Sequence, residues 1–157
     1  MKLDTTDRKI LELLQEDGSI SNLDLAEKVN LSATPCLRRV KQLASSGIIE
    51  RTAALLNPAK LNLKLTAIVA VTMDRHTPDR FQVFEEKVKM YPEVIECSIV
   101  TGQSADYLLK VVIPDIDHYQ EFLLGRLTRI EGVVGVHSSF VLRKIINKTA
   151  LPLNYTD

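Results

Sequence analysis

A change of hydrophobic period near residue 65 predicts an α+β chain of two domains. Before it, apolar residues recur at three- and four-residue spacing in three short segments, each bounded by capping residues. After it, apolar runs of strand length interleave with two helical stretches. The expected layout is a helical domain over residues 1–54, a linker over 55–64 and a mixed domain over 65–157. Apolar residues make up 45% and charged residues 25%, the mix of a globular protein with a buried core.

The first helix is expected from about Asp7, capped by Thr5 or Thr6, with Ile10, Leu13 and Leu14 on its apolar stripe. Asp17-Gly18 ends it, with Gly18 expected in the left-handed conformation. Ser21 and Asp24 form an S-x-x-D capping pattern ahead of Leu25, Ala26 and Val29, and Asn30 closes that second helix. Ser32 caps a third, in which Pro35 falls in the first turn, where a missing N–H breaks no intrahelical bond. Gly47 closes it. The following IIERTAALL lacks a helix cap and is rich in apolar and β-branched residues, so a strand or wing is expected before the Asn57-Pro58 turn.

In the mixed domain, LTAIVAVTM from Leu65 reads as a buried strand, and Pro78 opens a helix carrying Phe81, Phe84 and Val88. VIECSIVT and DYLLKVVI form a hairpin around TGQSA. Ile116, Tyr119, Leu123 and Leu127 mark a helix ending near Gly132, and VVGVHSSFVLRKII is a final strand. The order strand, helix, strand, strand, helix, strand is the split βαβ, ferredoxin-like βαββαβ arrangement. Both faces of the first strand are largely apolar, so a second copy is expected to cover the face that the helices leave open.

The amino terminus has scattered charges and no apolar h-region, and the longest apolar run, Leu65 to Met73, is far short of the ~20 residues that span a bilayer. A cytoplasmic location without a membrane partner is expected. Cys36 and Cys97 stand far apart with no ligand-spaced histidine, which predicts buried, reduced thiols and neither disulfide nor metal site. No nucleophile motif, Gly-rich phosphate loop or acidic metal cluster is present, so no catalytic residue and no cofactor are expected.

The third helix is the outlier. LSATPCLRRVKQLASSG carries Arg38, Arg39 and Lys41 and no acid, in a chain of zero formal net charge. Cys36, Leu37, Val40, Leu43 and Ala44 share one face of it, which leaves Thr34, Arg38, Lys41, Gln42 and Ser45 on the other. Three cations on a helix also suit a merely solvated face. The spacing of the three helices is that of a helix-turn-helix, however, whose second element enters the major groove. Thr34 and Arg38 are then placed on base edges, with Pro35 beside them near the groove floor. Ser32, Arg39, Lys41 and Gln42 are placed on phosphates, joined by Arg51 from the wing.

Several long segments carry a resemblance. LDTTDRKILELLQEDGSISNLDLAEKVNLS, TPCLRRVKQL, GIIERTAALLNP, IECSIVTG, DYLLKVVIPD and LTRIEGVVGV are similar to the Lrp/AsnC, or feast/famine, transcriptional regulators, with TPCLRRV, ALLNP and DYLLK nearest the leucine-responsive branch. The resemblance implies a winged helix-turn-helix joined to a ferredoxin-like ligand-sensing domain. It also implies dimers assembling into octamers, binding to promoter DNA, and an amino acid effector, leucine first and methionine second. The family's effector loop maps onto Thr101, Gly102, Gln103, Ser104, Ala105 and Asp106. Those residues offer hydroxyls, a carboxylate and a glycine that admits close backbone approach, the groups that hold a zwitterion, although an ordinary hairpin turn has the same composition. Two departures stand out: three residues rather than two separate Gly102 from Asp106, and Asn62 stands where many members have glycine. The competing readings are an enzyme like the related siroheme decarboxylases, for which His76, His118 and His137 show no pairing motif, and an architectural DNA protein without an effector.

Overall fold

The computed structural model describes residues 2–102 and 104–155. It divides into two units. One comprises residues up to Leu55 together with the tail from Ile146 onward, and the other runs from Leu56 to Ile145. The tail, expected within the second domain, thus belongs to the first.

Three helices build the first unit: α1 (Thr5–Glu16), α2 (Asn22–Lys28) and α3 (Ala33–Ser45). Asp4, not a threonine, caps α1. Its carboxylate accepts from the Asp7 N–H at 2.7 Å, and Asp7 returns the bond to the Asp4 N–H at 3.2 Å. This reciprocal box starts the helix earlier than the apolar stripe suggests, because an acidic side chain satisfies the first orphan donors better than a hydroxyl placed further in. Gly18 lies outside the left-handed region, and a Cβ there would come within 3.0 Å of the Thr52 methyl, so the residue serves close approach rather than a turn. Asn30 and Gly47 do take positive φ, 55° and 78°, and their turns let Leu31 and Ile48 donate back to the Ala26 and Leu43 carbonyls. Ile10, Leu11, Leu25, Ala26, Cys36 and Leu43 form the core.

No strand follows α3. Residues 50–57 lack regular structure and leave Leu55 and Leu56 exposed, and among the described residues the segment has no ladder partner.

In the second unit a 3₁₀ turn, Pro58–Leu61, ends at Asn62 with φ 60°. The departure from glycine at Asn62 is therefore accommodated by a residue that tolerates the left-handed region. Then come β1 (Leu65–Met73), α4 (Pro78–Lys89), β2 (Val94–Ile99), β3 (Tyr107–Ile113), α5 (Ile116–Gly125), a 3₁₀ turn (Leu127–Arg129) and β4 (Val133–Phe140). The antiparallel sheet has the order β2-β3-β1-β4, which is the ferredoxin-like topology. Ala67, Val69, Val71 and Met73 of β1 and Tyr107, Leu109, Val111 and Ile113 of β3 are buried in one cluster with Phe84 and Val88 of α4 and Tyr119 and Phe122 of α5. Both helices thus cover one face. The other presents Ile68, Ala70 and Leu108, bordered by Thr66, Thr72 and a cross-strand Glu96–Lys110 pair.

β4 ends at Phe140, earlier than expected. Its register with β1 ends at the Ala67–Phe140 pair, with one further bond from the Val141 N–H to the Thr66 carbonyl at 2.9 Å, and beyond it Leu142 and Ile145 are exposed. Cys36 is buried, but Cys97 is exposed, because β2 is an edge strand open to solvent along most of its length.

Candidate functional site

The helix-turn-helix is fixed by three connections. Asn22 of α2 donates its side-chain amide to the Ala33 carbonyl at 2.9 Å, tying the start of α3 to α2. The Asn30 turn sets the angle between those two helices. Cys36 and Leu43, both fully buried, anchor α3 to α1 and α2.

With that face inward, Thr34, Arg38, Lys41 and Gln42 are all exposed. Arg38 and Lys41 make no ion pair among the described residues. Ser32 caps α3 by backbone position only, its hydroxyl making no capping bond, and Pro35 sits half-buried in the first turn. Arg51 is exposed in the irregular segment after α3.

Arg39 departs from the expectation of a phosphate contact. Its Nη1 donates to Asp4 Oδ2 and to Asp7 Oδ1, both at 2.7 Å. The Asp7 side chain is only 9% exposed, so Arg39 supplies the compensating charge for a carboxylate that would otherwise be buried unpaired. The Asp7 backbone N–H and the guanidinium together hold the Asp4 carboxyl below its usual range, and the two carboxylates raise Arg39 in turn. Helical position explains the difference between the neighbours: Arg39 is three residues on from Cys36 and four before Leu43, hence near the packed face, whereas Arg38 lies beyond its edge. The signal that would have found this was in the sequence, as Asp4 and Asp7 stand at capping spacing.

In the second unit the hairpin loop between β2 and β3 is strapped onto the end of β1. The Asp106 N–H donates to the Val71 carbonyl at 2.8 Å, and the Thr72 hydroxyl donates to the Ser104 carbonyl at 3.0 Å. Asp106 Oδ2 accepts from the Met73 N–H at 2.7 Å, while Oδ1 lies 2.7 Å from His76 Nε2. Ala105 is buried, and Thr101 and Ser104 are exposed. Gly102 has φ 81°, and its chain neighbours aside no atom of the described residues lies within 4 Å of where a Cβ would stand, so its need is conformational. Gln103 lies outside the described residues. Thr72 and His76 are the participants that sequence reasoning missed. No motif marks them, since their role follows from where β1 ends relative to the loop.

Among the described residues no group of three potential metal ligands occurs, and no helix is long and apolar enough to cross a membrane.

Comparison with known proteins decides what these two constellations belong to. A winged helix-turn-helix DNA-binding profile matches residues 3–50, and the Lrp/AsnC ligand binding domain profile matches residues 66–151. The chain belongs to the Lrp/AsnC family. The Bkd operon transcriptional regulator of Pseudomonas aeruginosa is 41% identical over 97% of this chain and 99% of its own length. The leucine-responsive regulatory protein of Escherichia coli is 42% identical over 91% of this chain and 87% of its own. A Neisseria meningitidis transcriptional regulator, solved as an L-Met complex, is 45% identical with a TM-score of 0.93, covering 97% of each chain.

This Lrp/AsnC protein is therefore a DNA-binding transcriptional regulator with an amino-acid-binding domain, as the resemblance implied. Its helix-turn-helix supplies the DNA-binding function and its ferredoxin-like unit the amino-acid-binding one.

Proposed function

We propose that α3 is a recognition helix that reads promoter DNA in the major groove. Thr34 and Arg38 address base edges, while Ser32, Lys41, Gln42 and Arg51 hold phosphates. Arg39 acts inside the unit, fixing α3 to the start of α1. The observation that carries this reading is the division of labour within one basic helix: Arg38 and Lys41 are exposed without an ion pair among the described residues, while Arg39 is held by two carboxylates.

The loop over residues 101–106 is the effector-responsive element, and its ligand is an aliphatic amino acid. Methionine comes ahead of leucine, since the 45% identical relative is an L-Met complex, with the leucine-responsive relatives close behind. Asp106 is a positioning residue there. Both its oxygens already take part in holding the loop, which leaves spare lone pairs rather than a free carboxylate for an ammonium group. Copies pair through the open sheet face around Ile68, Ala70 and Leu108, and such dimers assemble further, up to an octamer. The effector acts by favouring one assembly or head arrangement over another. The reading is of a regulator rather than an enzyme, as is the family's, and His76 and His118 are each taken up by a neighbouring carboxylate.

Fluorescence anisotropy of the duplex upstream of the protein's own gene, at near-physiological salt, tests both halves. Binding that survives nonspecific competitor and shifts with methionine or leucine is the expected result. Failure to outlast competitor contradicts the recognition-helix assignment, and competitor-resistant binding that neither amino acid alters contradicts the effector assignment.

A further inference from the structure

Beyond β4 the chain leaves the sheet and, without regular secondary structure, returns to the helical unit. There the Gln15 side chain, in the last turn of α1, bonds the Leu151 backbone with both ends of its amide. Its Nε2 donates to the Leu151 carbonyl at 3.1 Å, and its Oε1 accepts from the Leu151 N–H at 2.6 Å. A primary amide pairing with the N–H and carbonyl of one residue imitates a step of β-ladder, the geometry by which extended segments are gripped. Two residues on, Leu153 is half-buried against the core formed by Ile10, Leu11 and Leu25. The tail forms one wall of an apolar groove of about 1230 Å³ whose floor includes Leu11, Leu14 and Ile20.

α1 is therefore held at both ends. At its start Arg39 reaches across from α3 to Asp4 and Asp7, and at its end the tail grips Gln15. We propose that the carboxy-terminal tail is a strap of the DNA-binding unit. It gives the sensing domain a second covalent route to that unit, besides the linker, and acts on α3 through α1. Loosening the strap loosens α1, and with it the platform from which Arg38 and Lys41 are presented. The inference rests on the recognition-helix reading only for its DNA readout.

The test uses the full chain, the chain ended after Ile145, and the full chain with Gln15→Ala. Hydrogen exchange is read on α1 and on the sheet, and anisotropy on the duplex upstream of the protein's own gene. Ending the chain after Ile145 should speed exchange in α1 by about tenfold, through loss of the Leu153 packing and of the bonds to Gln15, and leave β1 and β3 unchanged. Duplex affinity should fall several-fold. Gln15→Ala, which keeps Leu153, should shift both readouts the same way by less. Unchanged exchange in α1 for both variants would overturn the strap, whatever the DNA result. Faster exchange with undiminished duplex affinity would overturn its action on α3. An intact chain that binds no duplex specifically would instead fault the recognition-helix reading. A short bismaleimide applied to Gln15→Cys/Leu151→Cys in a Cys97→Ser background should yield a crosslink within one chain. A band at twice the mass would show that the strap comes from another copy and overturn its assignment to the same chain.

Discussion

The exposed face of α3 and the loop between β2 and β3 are both polar surface segments, but they hold their polar groups in opposite states. On α3, Arg38 and Lys41 point outward without ion pairs among the described residues, so their interaction free energy is available to a partner. In the loop, the Asp106 carboxylate, the Ser104 carbonyl and the Asp106 N–H are already engaged with Met73, His76, Thr72 and Val71. A free set of cations can bind as it stands. A strapped loop can contribute to binding only by holding a shape or by exchanging partners, which suits an element whose two arrangements differ by little free energy.

The sharpest way to break this contrast is to remove one member of each set. Arg38→Ala should weaken a specific duplex by about 1–3 kcal/mol and lower the ratio of specific to nonspecific affinity, leaving thermal stability unchanged. Asp106→Ala should release the loop from β1 and abolish the amino acid response, typically about 1–3 kcal/mol of coupling, while DNA binding without effector persists. A leucine or methionine titration that looks like that of the unaltered protein would remove Asp106 from the responsive element. Arg39→Ala should act in the opposite sense to its neighbour, costing about 1–2 kcal/mol of stability because Asp7 loses the charge that compensates its burial. Chemical denaturation monitored by helical circular dichroism measures that loss.

Smaller effects sharpen the same division. Lys41→Ala should weaken all duplexes alike and reduce the slope of log affinity against log salt by about 1, the signature of one phosphate contact. His118, at the start of α5, is raised above its ordinary value of 6.5 by its hydrogen bond to Asp115, and Asp115 is lowered, chiefly by the His118 N–H. A raised histidine contributes stability that is fully present below its unfolded value and is lost as pH rises through the folded one. His118→Asn should therefore lower the melting temperature slightly in mildly acidic buffer and leave it unchanged in mildly alkaline buffer. A difference that grows with pH would contradict the sign.

Most of the fold was legible because its elements are specified locally. β1 occupies the residues its apolar run marks, Pro78 starts α4, and Asn30 and Gly47 close α2 and α3 with the positive φ that those residue types tolerate. Apart from the cap of α1, which passed from a threonine to the nearby Asp4, the larger misreadings involve partners distant in sequence. The segment after Ile49 has strand composition, yet strandness depends on a neighbour that it lacks among the described residues. The tail has the composition of a strand extension, yet its bonding to β1 stops one step beyond Phe140, where the Val141 N–H donates to the Thr66 carbonyl, and Gln15, far away in sequence, captures it at Leu151 instead. Within the candidate site, the basic face of α3 could be read from helical periodicity. The inward turn of Arg39 was signalled only indirectly, by the capping spacing of Asp4 and Asp7, and the grip of Thr72 and His76 on the loop was not signalled at all, because it depends on where a second element happens to end.

The central claim is that two adjacent arginines on one helix do different work. Competition anisotropy on the duplex upstream of the protein's own gene, run side by side for Arg38→Ala and Arg39→Ala at a temperature where both are folded, tests it most directly. The account predicts that Arg38→Ala loses the preference for this duplex over random competitor, while Arg39→Ala keeps that ratio and shows its defect only in stability. Equal loss of preference in both variants, or loss confined to Arg39→Ala, would contradict it.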